Sequence, residues 1–146
     1  MAHGPIVRDQ RGSSAVEFAL VFPLMLTMLF GILQFGLTLN NNVTLTDAAR
    51  AGVRELAIGR SSATAYNDAV NRFYGSAPGL VQANTTLTMT VNGVGCSSNA
   101  TCQAALVAAT GLPVKLVARY PCDLKVMAID FAPGCTLVTS TTQRVE

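Results

Sequence analysis

An uninterrupted apolar segment near the N-terminus dominates the pattern of hydrophobic and polar positions in this chain. Residues 18–39 contain no charged side chain, and their only polar side chains are Thr27, Gln34 and Thr38. As an α-helix rising about 1.5 Å per residue, the segment would be roughly 33 Å long, enough to cross the hydrocarbon core of a bilayer. A core helix of a soluble protein would show a polar face, and this segment has none. The pattern therefore predicts a transmembrane helix, in which the two threonines can bond back to their own backbone.

Helical periodicity continues after the three asparagines at residues 40–42. Apolar and small residues recur there at steps of three and four, which is typical of an amphipathic helix; they are Leu45, Ala48, Ala49, Gly52, Val53 and Leu56. We expect one continuous helix over about residues 14–58, although Thr44 and Asp47 could form a capping box that restarts it. The small residues Ala48, Ala49 and Gly52 would let another element pack closely against the helix backbone.

The rest of the chain predicts shorter elements. Gly59 should end the first helix, and Ser61 or Ser62 should cap a second helix. The apolar stripe of that second helix consists of Tyr66, Ala69, Val70, Phe73 and Tyr74. Alternation of apolar and polar residues predicts strands over residues 86–91, 114–120 and 137–145, and residues 103–110 are expected to form a short helix. These elements predict an α+β fold in which a small antiparallel sheet packs on the small-residue face of the long helix.

Composition and charge exclude several classes of function. The formal net charge is +2 and half of the residues are hydrophobic, so neither a disordered chain nor a nucleic-acid-binding protein is expected. The single histidine is His3, and no nucleophile, acid and base stand at a known catalytic spacing. We therefore expect no enzyme, no catalytic residue and no cofactor.

All four cysteines follow the apolar segment: Cys96, Cys102, Cys122 and Cys135. Their spacings are not those of zinc ligands and no histidine accompanies them, so we expect disulfides and no metal. Four cysteines allow three connectivities, and the sequence alone leaves the choice open. Proximity along the chain favours Cys96 with Cys102 and Cys122 with Cys135. Disulfides are typical of an oxidising compartment such as the periplasm.

The residues before the apolar segment indicate how the chain is oriented and processed. Arg8 and Arg11 resemble the basic region of a secretory signal peptide, but the apolar run is longer than a signal core and no clean cleavage site follows it. Basic residues tend to stay on the cytoplasmic side, which favours a cytoplasmic N-terminus. Glu17 directly adjoins the apolar run, where an unpaired carboxylate would cost several kcal/mol. It lies either at headgroup depth or next to a cation, and cleavage after Gly12 would supply one as the free amine of Ser13.

A basic leader that ends in glycine, a glutamate at the fifth position after it and an apolar helix resemble the processing signal of type IV pilins and pseudopilins. The longer stretch to about residue 57 is similar to the TadE-like family of minor pilins of tight-adherence (Flp) pili. The resemblance rests on the AVEFAL start, on Pro23, Gly31 and Gly36 in the apolar run, and on the segment AARAGVR. It covers about one third of the chain. Pro23 should also bend or locally open the helix.

The resemblance implies a pilin-like architecture with three parts. Residues 1–12 would be a leader removed by a prepilin peptidase between Gly12 and Ser13, residues 13–39 the transmembrane segment, and residues 40–146 a periplasmic domain. The protein would be a minor pilin or pseudopilin of the bacterial inner membrane that acts in assembly or initiation of the pilus. The partners implied are the major Flp-type pilin and other minor pilins, the prepilin peptidase, the inner-membrane assembly platform and membrane lipid. Glu17 would pair with the Ser13 amine of the same or a neighbouring subunit and set the axial register.

Two alternatives stay open. A single-pass, membrane-anchored periplasmic binding or sensor module would have the same anchor without the cleavage or the dependence on Glu17. The second concerns the domain of residues 40–146, called the head below. Its apolar residues between the last two cysteines either cover the edge of the sheet or dock a neighbouring subunit; they are Leu124, Val126, Met127, Ile129 and Phe131.

Overall fold

The computed structural model describes residues 11–122, 124–126 and 129–146, with the backbone alone described at residues 11–13 and 125–126. Its first element is one continuous helix, α1, over Arg11–Ile58. The helix does not restart at Thr44, since Thr46 donates a hydrogen bond from Oγ1 to the carbonyl of Asn42 (2.8 Å) inside an unbroken helix. The prediction of a single long helix is therefore confirmed.

Two short helices and a small sheet complete the fold. The helices are α2 (Ala65–Gly75) and α3 (Asn99–Ala108), with 3₁₀ turns at Gly59–Ser61 and Gln82–Asn84. The strands are β1 (Thr86–Val91), β2 (Val94–Cys96), β3 (Pro113–Pro121), β4 (Lys125–Val126), β5 (Ile129–Asp130) and β6 (Thr136–Arg144). Four of them form an antiparallel sheet in the order β2-β1-β3-β6, while β4 and β5 pair as a separate small hairpin. The fold is α+β, as predicted.

The pattern of strands missed β2, although the chain carries a signal for it. Asn92 and Gly93 both have positive φ, 47° and 82°, and Val91 pairs with Val94 on either side of them. A two-residue hairpin loop with two positive φ angles is the arrangement for which Asn-Gly is preferred, because asparagine tolerates this region and glycine has no Cβ. This dipeptide identifies the β1–β2 hairpin.

The starts of both short helices differ from the predicted ones. Helix α2 begins at Ala65 because Gly59–Ser61 forms a 3₁₀ turn, and Ser62 donates from Oγ to the carboxylate of Asp68 (3.0 Å) instead of capping the helix. Helix α3 begins at Asn99, four residues before the predicted start. Ser98 and Thr101 form a capping box there, which satisfies free backbone N–H groups at the start of the helix.

The second half of α1 is the centre of the hydrophobic core. Its buried residues include Leu45, Ala48, Ala49, Val53 and Leu56, which pack against α2 and the sheet. No polar or charged residue is buried in the described part of the chain. Phe73 on α2 is fully buried and meets the ring of Tyr74 edge to face, and burial raises the pKa of the Tyr74 hydroxyl. The core is thus apolar, and it includes the disulfide between Cys96 and Cys102.

Gly52 marks the closest approach of α1 to its neighbours. A Cβ at this position would lie 3.1 Å from Leu116 Cδ1, 3.2 Å from the carbonyl oxygen of Ala69 and 3.2 Å from Phe73 Cβ. Two of these contacts come from α2 and one comes from β3, so the glycine lets a helix and a strand reach the same turn of α1. Any larger side chain would push both elements away.

We therefore expect Gly52→Leu to lower the free energy of unfolding of the head by about 1–3 kcal/mol, the usual cost of overpacking a core. Thermal unfolding of the full chain in detergent, followed by circular dichroism, measures this as a fall in Tm of several degrees. Gly75→Leu is the matched control, because Gly75 has open space around it and an ordinary φ. Equal Tm values for the two variants would contradict the close approach at Gly52.

Candidate functional site: the apolar half of α1 and its flanking loop

The first half of α1 presents an extended apolar surface, most of which the described part of the chain leaves exposed. Exposed large side chains run from Val16 to Val43 on all sides of the helix, among them Phe18, Leu24, Met28, Ile32 and Phe35. Within the described residues this is the one helix long and apolar enough to cross a membrane, with a mean hydropathy of 2.2. Soluble domains rarely expose apolar patches beyond a few hundred Å², so this surface requires a non-aqueous environment.

The polar side chains of this half are accommodated within the helix or beside the head. Thr27 donates from Oγ1 to the carbonyl of Pro23 (2.8 Å), and Thr38 donates to the carbonyl of Gln34 (3.0 Å). Both threonines bond back to their own helix, as predicted. The helix continues through Pro23, whose expected effect on the local bend stays a prediction.

The residues predicted to mark cleavage and register lie at the start of α1. Gly12 and Ser13 belong to its first turn, and the exposed Glu17 follows Ser13 by four residues. Positions four apart share one face of a helix. The backbone therefore places residue 13 and Glu17 on the same face, one turn apart.

The small residues assigned to helix packing fall into two groups. Ala48 and Ala49 are fully buried beneath the head, and Gly52 contacts α2 and β3, so this chain itself occupies that face. Gly31 and Gly36 have open space where a Cβ would be. The opposite face of the packed half is exposed, and there Arg50 and Asp47 form an ion pair (3.4 Å) that contributes little at such a position.

Both short-range cysteine pairs are bonded in the structure. Cys96 pairs with Cys102 and links β2 to α3, while Cys122 pairs with Cys135 and closes the loop that carries β4 and β5. The second pair is reinforced by a hydrogen bond from the backbone N–H of Cys122 to the carbonyl of Cys135 (3.2 Å). The disulfide therefore fixes the two ends of this loop where β3 ends and β6 begins.

The disulfide-closed loop lies against the apolar half of α1, a contact that the sequence pattern did not predict. Leu124 and Phe131 line a cleft of about 300 Å³ together with Thr27, Gly31, Gln34 and Phe35. Phe131 donates its backbone N–H to the carbonyl of Leu124 (3.0 Å), and Ile129 is exposed beside it. Met127 falls outside the described residues. Nothing in the periodicity relates the loop to α1, because the two segments are far apart along the chain.

The described residues hold no group of three or more histidine, cysteine, aspartate or glutamate side chains arranged to bind a metal. What distinguishes the site is therefore its apolar surface, the glutamate at its start and the loop beside it.

Comparison with known protein families identifies the same segment. Residues 12–54 match the model of the TadE-like protein family. The N-terminal segment is similar to this family over about 30% of the chain. The match begins at the predicted cleavage position and ends in the buried half of α1, so it includes the whole apolar surface and the contact at Gly52. This family acts in tight-adherence pilus systems, as a structural pilus component rather than a known family of enzymes. No curated protein and no solved structure matches the chain significantly.

The cysteine pairing can be checked chemically. We expect the full chain, purified from its native membrane and denatured without reductant, to incorporate no thiol-alkylating reagent, and to incorporate four equivalents after reduction. Proteolysis without reduction should yield one peptide pair that joins Cys96 to Cys102 and another that joins Cys122 to Cys135. Free thiols in the unreduced protein would place the head in a reducing compartment and contradict the pairing.

Proposed function

We propose that the protein is a minor pilin or pseudopilin of a tight-adherence (Flp-type) pilus, anchored in the inner membrane and active in assembly or initiation of the fibre. The observation that carries the proposal is the TadE-like match over a helix whose first half is apolar and exposes most of its large side chains. Such a helix has two environments open to it, the bilayer and the helical core of a filament. Both are free of water, so transfer from one to the other exposes little apolar surface.

Under this proposal the chain divides into the three parts that the resemblance implies. A leader of residues 1–12 remains in the cytoplasm with Arg8 and Arg11, in agreement with the preference of basic residues for that side. Residues 13–39 span the membrane. Residues 40–146 form the periplasmic head, where the two disulfides can form.

The prepilin peptidase would cut between Gly12 and Ser13. The new amine of Ser13 would then be the first group of α1, and Glu17 would lie one turn further along the same face. A cationic amine and a carboxylate at this spacing neutralise each other more effectively when water is excluded, because the effective dielectric constant falls. The pair can form within one subunit or between neighbours, and the second arrangement would fix the axial register.

The two halves of α1 differ in what their small residues can pack against. The face of Ala48, Ala49 and Gly52 is used within the chain, whereas Gly31 and Gly36 have room around them. Close approach of helices in an apolar medium depends on such small residues, since no hydrophobic driving force acts there. Other pilin subunits and the inner-membrane assembly platform are the partners that this surface would meet.

Cleavage is tested by the intact mass and N-terminal sequence of membrane-extracted protein, with and without a prepilin peptidase. We expect a chain that begins at Ser13 only when the peptidase is present. A Gly12→Val variant should keep its leader in both cases, because its bulkier side chain stands at the bond to be cut. An unprocessed wild-type chain beside an active peptidase would favour the membrane-anchored binding or sensor module.

The role of Glu17 is tested separately. We expect Glu17→Ala to leave the protein in the inner membrane at normal amount and to reduce its share in sheared pili by about ten-fold or more, since breaking a buried ion pair costs about 3–5 kcal/mol. If the protein initiates the fibre, the number of pili should fall with it.

Asp47→Ala is the matched control, because it removes an exposed carboxylate of the same helix from a weak surface pair. It should leave incorporation unchanged. Normal assembly with Glu17→Ala would exclude the register role and leave the anchor in place.

A further inference from the structure

The disulfide-closed loop lies beside the part of α1 that is expected to span the membrane, not beside the part that follows the span. Measured along α1 at about 1.5 Å per residue, Phe35, Gly31 and Thr27 lie roughly 6, 12 and 18 Å from Leu39, the last residue of the uncharged run. Leu124 and Phe131 line one cleft with this part of the helix, and β4 lies close to α1. The loop therefore lies beside residues that are within the span, on the membrane side of Leu39.

The membrane boundary cannot move far enough to leave the loop in water. The uncharged run is roughly 33 Å long as a helix and the hydrocarbon core is about 30 Å thick, so only about two residues of slack remain. With the outer boundary shifted by that amount, Gly31 would still lie about 9 Å inside the hydrocarbon. A loop that shares a cleft with Gly31 then lies at the level of the acyl chains or at their border with the headgroups.

The residues that line the cavities beside α1 become more apolar towards the middle of the span. Around the outer end of the span, Gln34, Thr38, Asn41, Asn84 and Tyr120 line a mixed polar cavity between α1 and the head. One to two turns deeper, the cleft next to the loop is lined chiefly by Gly31, Phe35, Leu124 and Phe131. A change from polar to apolar groups is expected on going from the membrane surface into the hydrocarbon, and tyrosine is enriched at that surface.

Two large side chains of the loop remain outside the protein core. Ile129 is 61% exposed and Phe131 is 65% exposed. Asp130 lies between them, and neighbouring positions in a strand face opposite sides. Its carboxylate accepts a hydrogen bond from the backbone N–H of Ala132 (3.0 Å). Ile129 and Phe131 are thus available for contacts outside the protein, while a backbone N–H of the loop itself hydrogen-bonds to the Asp130 carboxylate.

We propose that the loop closed by Cys122 and Cys135 is a second membrane-contacting element, which inserts Ile129 and Phe131 among the lipid acyl chains of the periplasmic leaflet. Lipid is the occupant that the structure favours, because the loop surface is continuous with the apolar surface of the span. The head would then be held at two points and could not rotate freely about the anchor. This inference rests on the membrane anchor of the proposed function, but not on cleavage or on the pilus.

The chain contains no tryptophan, so single tryptophans can report the depth of each position. The full chain would be reconstituted into vesicles of phosphatidylcholine and phosphatidylglycerol, with either ordinary or acyl-brominated phosphatidylcholine. The test variants are Ile129→Trp and Phe131→Trp. The reference for lipid is Phe35→Trp, which is 64% exposed in the span, and the reference for water is Val94→Trp, which is 63% exposed at the β1–β2 hairpin.

We expect brominated lipid to quench both loop variants nearly as strongly as Phe35→Trp and several-fold more than Val94→Trp. Aqueous acrylamide should show the reverse order. Unchanged circular dichroism and intact disulfides would establish that each variant is folded.

Three results would overturn the inference. Loop tryptophans that behave like Val94→Trp would place the loop in water. Shielding from both quenchers would indicate cover by protein, either a second copy or this chain itself. Weak lipid quenching of Phe35→Trp would remove the anchor as well, whereas strong quenching there with none at the loop would remove only this inference.

Discussion

The packing of the second half of α1 against α2 and β3 is the interaction on which the rest of the molecule depends. At Gly52 a backbone without a Cβ lets Phe73 and Leu116 reach the same helical turn. No buried charge or polar group in the described residues contributes to this core. Because α1 is continuous, the same contact also sets the direction in which its uncovered apolar half leaves the head.

One helix therefore carries two surfaces that need different surroundings. From Leu45 onwards its small and apolar residues are covered by the head, and before that point most of its large side chains are exposed. The TadE-like match spans both parts and ends at residue 54, shortly after the contact with α2. The segment that carries the family resemblance is thus the one that connects the water-free environment of the anchor to the folded head.

The disulfide-closed loop adds a second constraint to this arrangement. Cys122 and Cys135 tie its ends to β3 and β6, and Leu124 and Phe131 then meet α1 beside Gly31. Because both ends of the loop are tied to the sheet, its position along α1 is set by where the sheet packs on the helix. The order of polar cavity and apolar cleft along α1 is a consequence of the same tether, because the sheet and the loop approach the helix from one side.

The sequence by itself determined the local features of this protein. The long helix, the α+β class and the strands all follow from periodicity, since burial on one face repeats at the period of the element; the strands are Thr86–Val91, Pro113–Pro121 and Thr136–Arg144. The β1–β2 hairpin was also within reach through Asn92 and Gly93, whereas the start of α2 was not, because Ser62 binds Asp68.

Only the tertiary structure decided which distant segments pack beside each other. That Gly52, rather than Gly31 or Gly36, is the point of close approach depends on where α2 and β3 fold back onto α1. The cleft that Leu124 and Phe131 line together with Gly31 brings together positions more than 90 residues apart. Periodicity reports which face of an element is buried, but it contains no information about the distant segment that covers it, because that choice is made by packing over the whole chain.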